Sequence, residues 1–119
     1  MNISVNETTH TFHLYNNEIS YIMTVLRNGQ MGQLYFGKKV HERDDYSYLI
    51  EVRSRPMTSC VFDTDKCFSM EHLKQEYAVF GTTDYRSPAT EVLQNNGSRI
   101  SEFVFHDYRI ENGKPSLEG

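Results

Sequence analysis

The chain has 119 residues, room for one domain of ordinary size and not for a second. Its 38% hydrophobic and 13% aromatic residues can fill a core, and seven Phe and eight Tyr without a Trp lean towards β-structure. A net charge of −4, with the twelve Lys and Arg scattered and Arg53 and Arg55 the densest pair, excludes the basic footprint that nucleic acid needs.

Residues 1–10 are polar and are expected to form a flexible N-terminus, which places the domain proper at residues 11–119. Thr11 to Tyr15 reads as a strand, followed by a turn at Asn16-Asn17-Glu18, where Asn tolerates positive φ. Ile19 to Leu26 carries Ile19, Tyr21, Met23 and Val25 on one face and Ile22 and Leu26 on the other, which predicts a strand covered on both sides. Interrupted by Ser20 and Thr24, this longest apolar stretch is too short for a membrane span. Asn28-Gly29 predicts a hairpin into a strand from Met31 to Phe36.

Gly37 to Asp45 is charged and reads as a loop, and Tyr46 to Val52 as a further strand. Arg53 to Lys66 has no period and contains Pro56, which makes it a long excursion. Ser69 is placed to cap a short helix with Met70, Leu73 and Tyr77 on one face. Ala89 to Gln94 reads as a strand, Asn95-Asn96-Gly97 as a tight turn, and Arg99 to Ile110 as a long strand. On that strand Ile100, Val104, Tyr108 and Ile110 share a face with Glu102 and His106, opposite Phe103 and Phe105. At least seven short strands and one short helix predict a mainly all-β fold, an antiparallel β-sandwich.

The opening residues have neither a basic start nor an apolar h-region, and Cys60 and Cys67 are too few for a disulfide framework. A cytoplasmic protein with free thiols is the expectation, in which the sequons at Asn6 and Asn96 carry no sugar.

No constellation of side chains announces catalysis. Asp44-Asp45 and Asp63-Thr64-Asp65 are the clustered carboxylates, and both lie in segments that read as solvated loops. His10 and His13 on a strand point to opposite faces and cannot chelate together, so no metal is expected. Ser98 and Ser101 lack a nucleophile-elbow context, and Gly29-Gln30-Met31-Gly32 lacks the spacing of a phosphate loop. Tyr46, Tyr48, Phe80 and Tyr85 offer faces on which a pyranose ring can stack, although aromatics along strands are more often core.

The order of short blocks is more specific. Phe12-His13-Leu14, Ser20-Tyr21-Ile22-Met23 and Leu34-Tyr35-Phe36-Gly37-Lys38-Lys39 are followed by Phe68-Ser69-Met70 and Gln75-Glu76-Tyr77. Gly81-Thr82-Thr83-Asp84-Tyr85-Arg86-Ser87-Pro88-Ala89, Asn96-Gly97-Ser98-Arg99 and Gly113-Lys114-Pro115 complete the run. From Phe12 to Gly119 the chain closely resembles the N-terminal domain of bacterial α-galactosidases of glycoside hydrolase family 36.

The resemblance implies a non-catalytic β-supersandwich that packs on a (β/α)8 barrel, with the chain stopping before that barrel. The parent would be a retaining enzyme that removes terminal α-galactose from melibiose, raffinose and stachyose without a cofactor. Its two catalytic aspartates would lie in the barrel, so no residue of this chain is expected to be catalytic. The implied partners are the barrel itself, other subunits of a homotetramer, and galactose-containing oligosaccharides. A loop matching Arg53 to Lys66 would reach the sugar pocket, with Lys66 as its basic member and Glu51 as its acidic one. Lys in place of Arg would forgo a bidentate grip on a sugar diol. The alternatives are an independent carbohydrate-binding module, a small enzyme using Asp63 or Asp65, and a pure assembly domain.

Overall fold

A computed structural model of the chain describes residues 1–54 and 57–116, so Arg55, Pro56 and Leu117 to Gly119 lie outside the described residues. Strands β1 (Asn2–Asn6), β2 (Thr11–Tyr15), β3 (Ile19–Val25) and β4 (Met31–Lys38) form one antiparallel sheet in the order β1-β2-β3-β4. The fold is all-β. Among the described residues the one short helix, a 3-10 turn at Ser47–Leu49, is not where the sequence placed it.

The turns follow from their side chains. Asn16 Oδ1 accepts the backbone N–H of Glu18 at 2.7 Å and of Ile19 at 2.8 Å. Neither Asn16 nor Asn17 has a positive φ, so the side chain makes this turn and not a left-handed backbone. The Asn28-Gly29 hairpin forms with Gly29 at φ 86°, and the Gly29 and Leu26 N–H groups each close a 2.8 Å bond across it.

The opening residues are not loose. Asn2–Asn6 pairs with β2 in register from Asn2 opposite Tyr15 to Asn6 opposite Thr11. Ser4 bonds Glu42, and the Asn6 amide donates to the Asp44 carbonyl at 2.8 Å. The polar composition hid a period-2 pattern, in which Ile3 and Val5 face one way and Asn2, Ser4 and Asn6 the other.

The sheet buries its more polar face. Thr11 and His13 of β2 meet Ser20, Ile22 and Thr24 of β3 beneath residues 39–46, and all five are buried. The other face of β3 is only half covered, with Ile19 43% exposed, so that strand is not enclosed on both sides.

Three further expectations are corrected. In place of a strand over residues 46–52 there is the 3-10 turn at Ser47–Leu49, at whose start Asp45 captures the Ser47 N–H at 2.7 Å and the Ser47 hydroxyl at 2.9 Å. Residues 69–77 are not helical, although Met70 and Leu73 do join Leu26 and Phe68 in the core. The segments at 89–94 and 99–110 are not in paired strands, although the turn between them closes with Gln94 N–H to Ser98 O at 2.9 Å.

Candidate functional site

A cavity of 340 Å³ opens between the end of β3, the 3-10 turn and the excursion, with Thr24, Arg27, Asp45, Val52, Asp65 and Phe68 among its walls. The excursion is shaped where it is described. It doubles back through Asp65 N–H to Phe62 O at 3.0 Å and Val61 N–H to Phe68 O at 3.2 Å. Arg27 braces it from the sheet: it pairs with Asp65, and its guanidinium lies 4.7 Å from the Phe62 ring centroid and 5.4 Å from that of Phe68.

Glu51 and Lys66 do not share this cavity. Glu51 is half-buried, pairs with Arg53 and lines a neighbouring void of 60 Å³ beside Leu26 and Leu73. Lys66 is exposed on the returning arm of the excursion, in the wall of neither cavity.

Two of the clustered carboxylates, Asp45 and Asp65, are set for charge and not for proton donation. Asp44 and Asp63 are exposed. Hydrogen bonds from Ser47 hold Asp45 below the usual carboxylate range, and the Cys67 N–H followed by Arg27 does the same for Asp65. Glycoside hydrolysis needs one carboxyl raised so that it stays protonated, and these environments act in the opposite sense. Among the described residues no group of three or more His, Cys, Asp or Glu could hold a metal ion. His13 is buried against Ser20 at 2.8 Å, while the His10 ring packs 5.8 Å from Phe105.

The best-built polar feature lies in the Gly81 to Ala89 block, whose residues the sequence marks only as a motif. Asp84, 2% exposed, accepts the Arg86 Nε at 2.8 Å and Nη2 at 2.9 Å, the Arg86 N–H at 3.1 Å and the Gln75 amide at 2.8 Å. Burial pushes this carboxyl up, but the bonds from Arg86 and Gln75 outweigh it and hold Asp84 low. Arg86 Nη2 also donates to the Met70 and Leu73 carbonyls at 3.1 and 3.0 Å. Thr83 Oγ1 accepts the Met70 N–H at 2.8 Å.

The two carbonyls that Arg86 engages are acceptors that a helix starting after Ser69 would have used for its own backbone. The clamp also reaches the sheet. Gln33 N–H bonds Lys74 O and Glu76 N–H bonds Met31 O, each at 2.9 Å, along β4. Glu76 further bonds the Tyr21 hydroxyl, which burial and this bond push up to about 12.

The four aromatic candidates part company. Tyr46 is buried, where its hydroxyl meets His13, and Tyr48 stands 65% exposed. Phe80 and Tyr85 meet edge to face at 5.3 Å along a groove of 290 Å³ that Arg86, Glu91 and Arg99 share.

Fold and site define an all-β domain organised around a buried Asp84 that a half-exposed Arg86 clamps. The Glycosyl hydrolase family 36 N-terminal domain matches residues 29–119, and the chain belongs to that family. It is 34% identical to alpha-galactosidase AgaA of Geobacillus stearothermophilus and 36% identical to alpha-galactosidase 1 of Pediococcus pentosaceus. Those alignments cover 100% and 98% of this chain and 16% of each relative. A crystal structure of a G. stearothermophilus AgaA variant in complex with raffinose superposes with a TM-score of 0.79 at 34% identity, over 90% of this chain and 15% of that one.

Proposed function

We propose that this chain is the non-catalytic N-terminal domain of an α-galactosidase that hydrolyses terminal α-D-galactosyl residues of oligosaccharides such as melibiose and raffinose. The observation that carries the reading is a family match over residues 29–119 joined to relatives of which the chain spans 16%. The low-held carboxylates of Asp45, Asp65 and Asp84 support placing the chemistry outside this domain. In this reading the domain supports a catalytic barrel, contributes to contacts between subunits of a homo-oligomer, and lends its excursion to the substrate pocket. The half-buried free thiols of Cys60 and Cys67 favour a reducing, cytoplasmic setting.

The test is release of nitrophenol from an α-galactoside, measured for the 119-residue chain and for the longer polypeptide that carries it. Activity confined to the longer polypeptide is the expected result. Activity in the short chain, abolished by Asp65→Asn, would place chemistry here after all. A second reading, a carbohydrate-binding module, rests on the Phe80–Tyr85 groove. Shifts of the Tyr85 ring resonances with millimolar raffinose would favour it, and unmoved resonances would dismiss it.

A further inference from the structure

We propose that residues 39–46 form a pH-sensitive latch over the sheet, closed while His13 is neutral and released when its imidazole takes up a proton.

Residues 41–45 of this strap are exposed, so apolar burial does not hold them down. The two ends are pinned: the Lys39 N–H bonds Glu18 O at 2.7 Å, and the Asn6 amide bonds Asp44 O at 2.8 Å. Between them Glu42 reaches Ser4 at the exposed rim, and the backbone hangs on two buried hydroxyls. Ser20 Oγ accepts the Val40 N–H at 3.0 Å. Tyr46 Oη accepts the Arg43 N–H at 3.0 Å and donates to His41 O at 3.1 Å. His13 stands between these hydroxyls, with Nε2 2.8 Å from Ser20 Oγ and Nδ1 3.4 Å from Tyr46 Oη.

The group is satisfied only while His13 is neutral. Tyr46 gives its proton to His41 and so accepts from the Nδ1–H, which leaves Nε2 to receive the Ser20 hydroxyl. A second proton on the ring turns Nε2 into a donor. Ser20 Oγ then faces two donors, Nε2–H and the Val40 N–H, and these are the only groups it meets among the described residues. Its own proton is left without an acceptor in a fully buried place. An unpaired buried polar group is costly, and lifting the strap to admit water relieves it. Water has a route: a polar cavity of 280 Å³ lies against His13, walled in part by Glu7, Glu42, Arg43, Asp44 and Tyr46.

The surroundings act mostly in the same sense. Burial is the largest effect and lowers the His13 pKa, Glu42 opposes it and Lys39 adds to it. The Lys39 amine lies 5.4 Å from the centre of the Tyr15 ring, which packs 4.8 Å from the His13 ring. The other charged or titratable groups of the strap and cavity wall, Glu7, His41, Arg43 and Asp44, are exposed and screened by water. The open strap therefore takes up the proton first, so the latch is closed well above pH 6.5 and weakens as the pH falls below it.

Release is felt beyond the strap. Tyr46 O accepts the Leu49 N–H at 3.0 Å at the start of the 3-10 turn, and Asp45, Ser47 and Ile50 form one wall of the 340 Å³ cavity beside the excursion. Acid thus loosens the base on which the excursion sits.

Hydrogen–deuterium exchange on the longer polypeptide, read as protection relative to a free chain at each pH, tests the latch. Between pH 7 and pH 5 the Val40, Arg43 and Leu49 amides are expected to lose protection several-fold, while amides of the β2–β3 ladder keep theirs. His13→Gln cannot take up the proton and should abolish the pH dependence. Tyr46→Phe keeps the buried ring but should speed exchange of the Arg43 amide already at pH 7. Unchanged protection at pH 5 would overturn the latch, and so would a loss spread evenly over the β2–β3 ladder, which is global loosening. A pH dependence that survives in His13→Gln would assign it to another group and defeat the proposal. The longer polypeptide belongs to the reading above, and α-galactosidase activity on the same sample separates the two: a working latch in an inactive polypeptide sinks only that reading.

Discussion

Asp84 and His13 are buried titratable side chains that respond to pH in the same direction for different reasons. Folding lowers the Asp84 pKa, so its contribution is complete above the unfolded value near 4 and is lost as the pH falls through the folded value. Asp84→Asn leaves Arg86 and Gln75 facing a neutral amide and should cost about 2–3 kcal/mol, read as a lower urea midpoint at pH 7. His13 is held neutral. Tyr46 gives its one proton to the His41 carbonyl at 3.1 Å, so towards His13 Nδ1 it accepts, which leaves Nε2 to receive the Ser20 hydroxyl. Burial lowers the His13 pKa, aided by Lys39 and opposed by Glu42. The unfolded chain therefore takes up the proton first, and stability should fall as the pH drops below about 6.5. Urea midpoints compared at pH 7 and pH 5 should show this slope in the native chain and a flatter one in His13→Gln.

The turn from Gly81 to Asp84 stores strain that sequence propensity would not choose. Gly81 N–H and Asp84 N–H bond each other's carbonyls at 2.8 and 2.9 Å, with Thr82 at φ 48° and Thr83 at φ 69° between them. A left-handed conformation costs a β-branched residue about 1–2 kcal/mol. Thr83 recovers some of this by accepting the Met70 N–H, but Thr82 has no such bond among the described residues. Thr82→Asn should therefore stabilise the chain by up to about 1 kcal/mol, seen as a higher melting temperature. Gly81→Ala should destabilise it by about 1–2 kcal/mol, since Gly81 sits at φ 124° and a Cβ there would lie 2.6 Å from Ile100 Cγ2. The β2–β3 and β3–β4 turns were legible, because Asn-rich and Asn-Gly turns are decided within a few residues. The helix expected from Met70, Leu73 and Tyr77 does not form, and Arg86 engages the Met70 and Leu73 carbonyls from more than ten residues away.

At the scale of the whole molecule, the domain presents its excursion on a braced base. The Arg27–Asp65 pair and the Phe62–Phe68 stack hold the turn at residues 62–65 against the core while Lys66 faces outward. If that arm walls the substrate pocket, Lys66→Ala in the longer polypeptide should raise KM several-fold with little change in kcat or melting temperature, roughly a loss of 1 kcal/mol of ground-state binding. Arg27→Ala removes the brace and should raise KM in the same direction while also lowering the melting temperature. An unchanged KM in both variants would remove the excursion from the pocket.

What the amino-acid order settles without help is local or cumulative: strands β2 to β4, their turns, the all-β class, and a succession of short blocks that marks the family. Period-2 patterning and turn chemistry act over a few residues, so these features read directly from the chain. Tertiary structure decided the rest. It made β1 a strand through pairing with β2, and drew Asp84, Arg86 and Gln75 into one clamp. It also buried the polar face of the sheet under residues 39–46 and carried residues 99–110 across the end of the sheet outside any paired strand. Each of these depends on groups far apart in sequence, whose hydrogen bonds and burial exist only once the chain has folded back on itself.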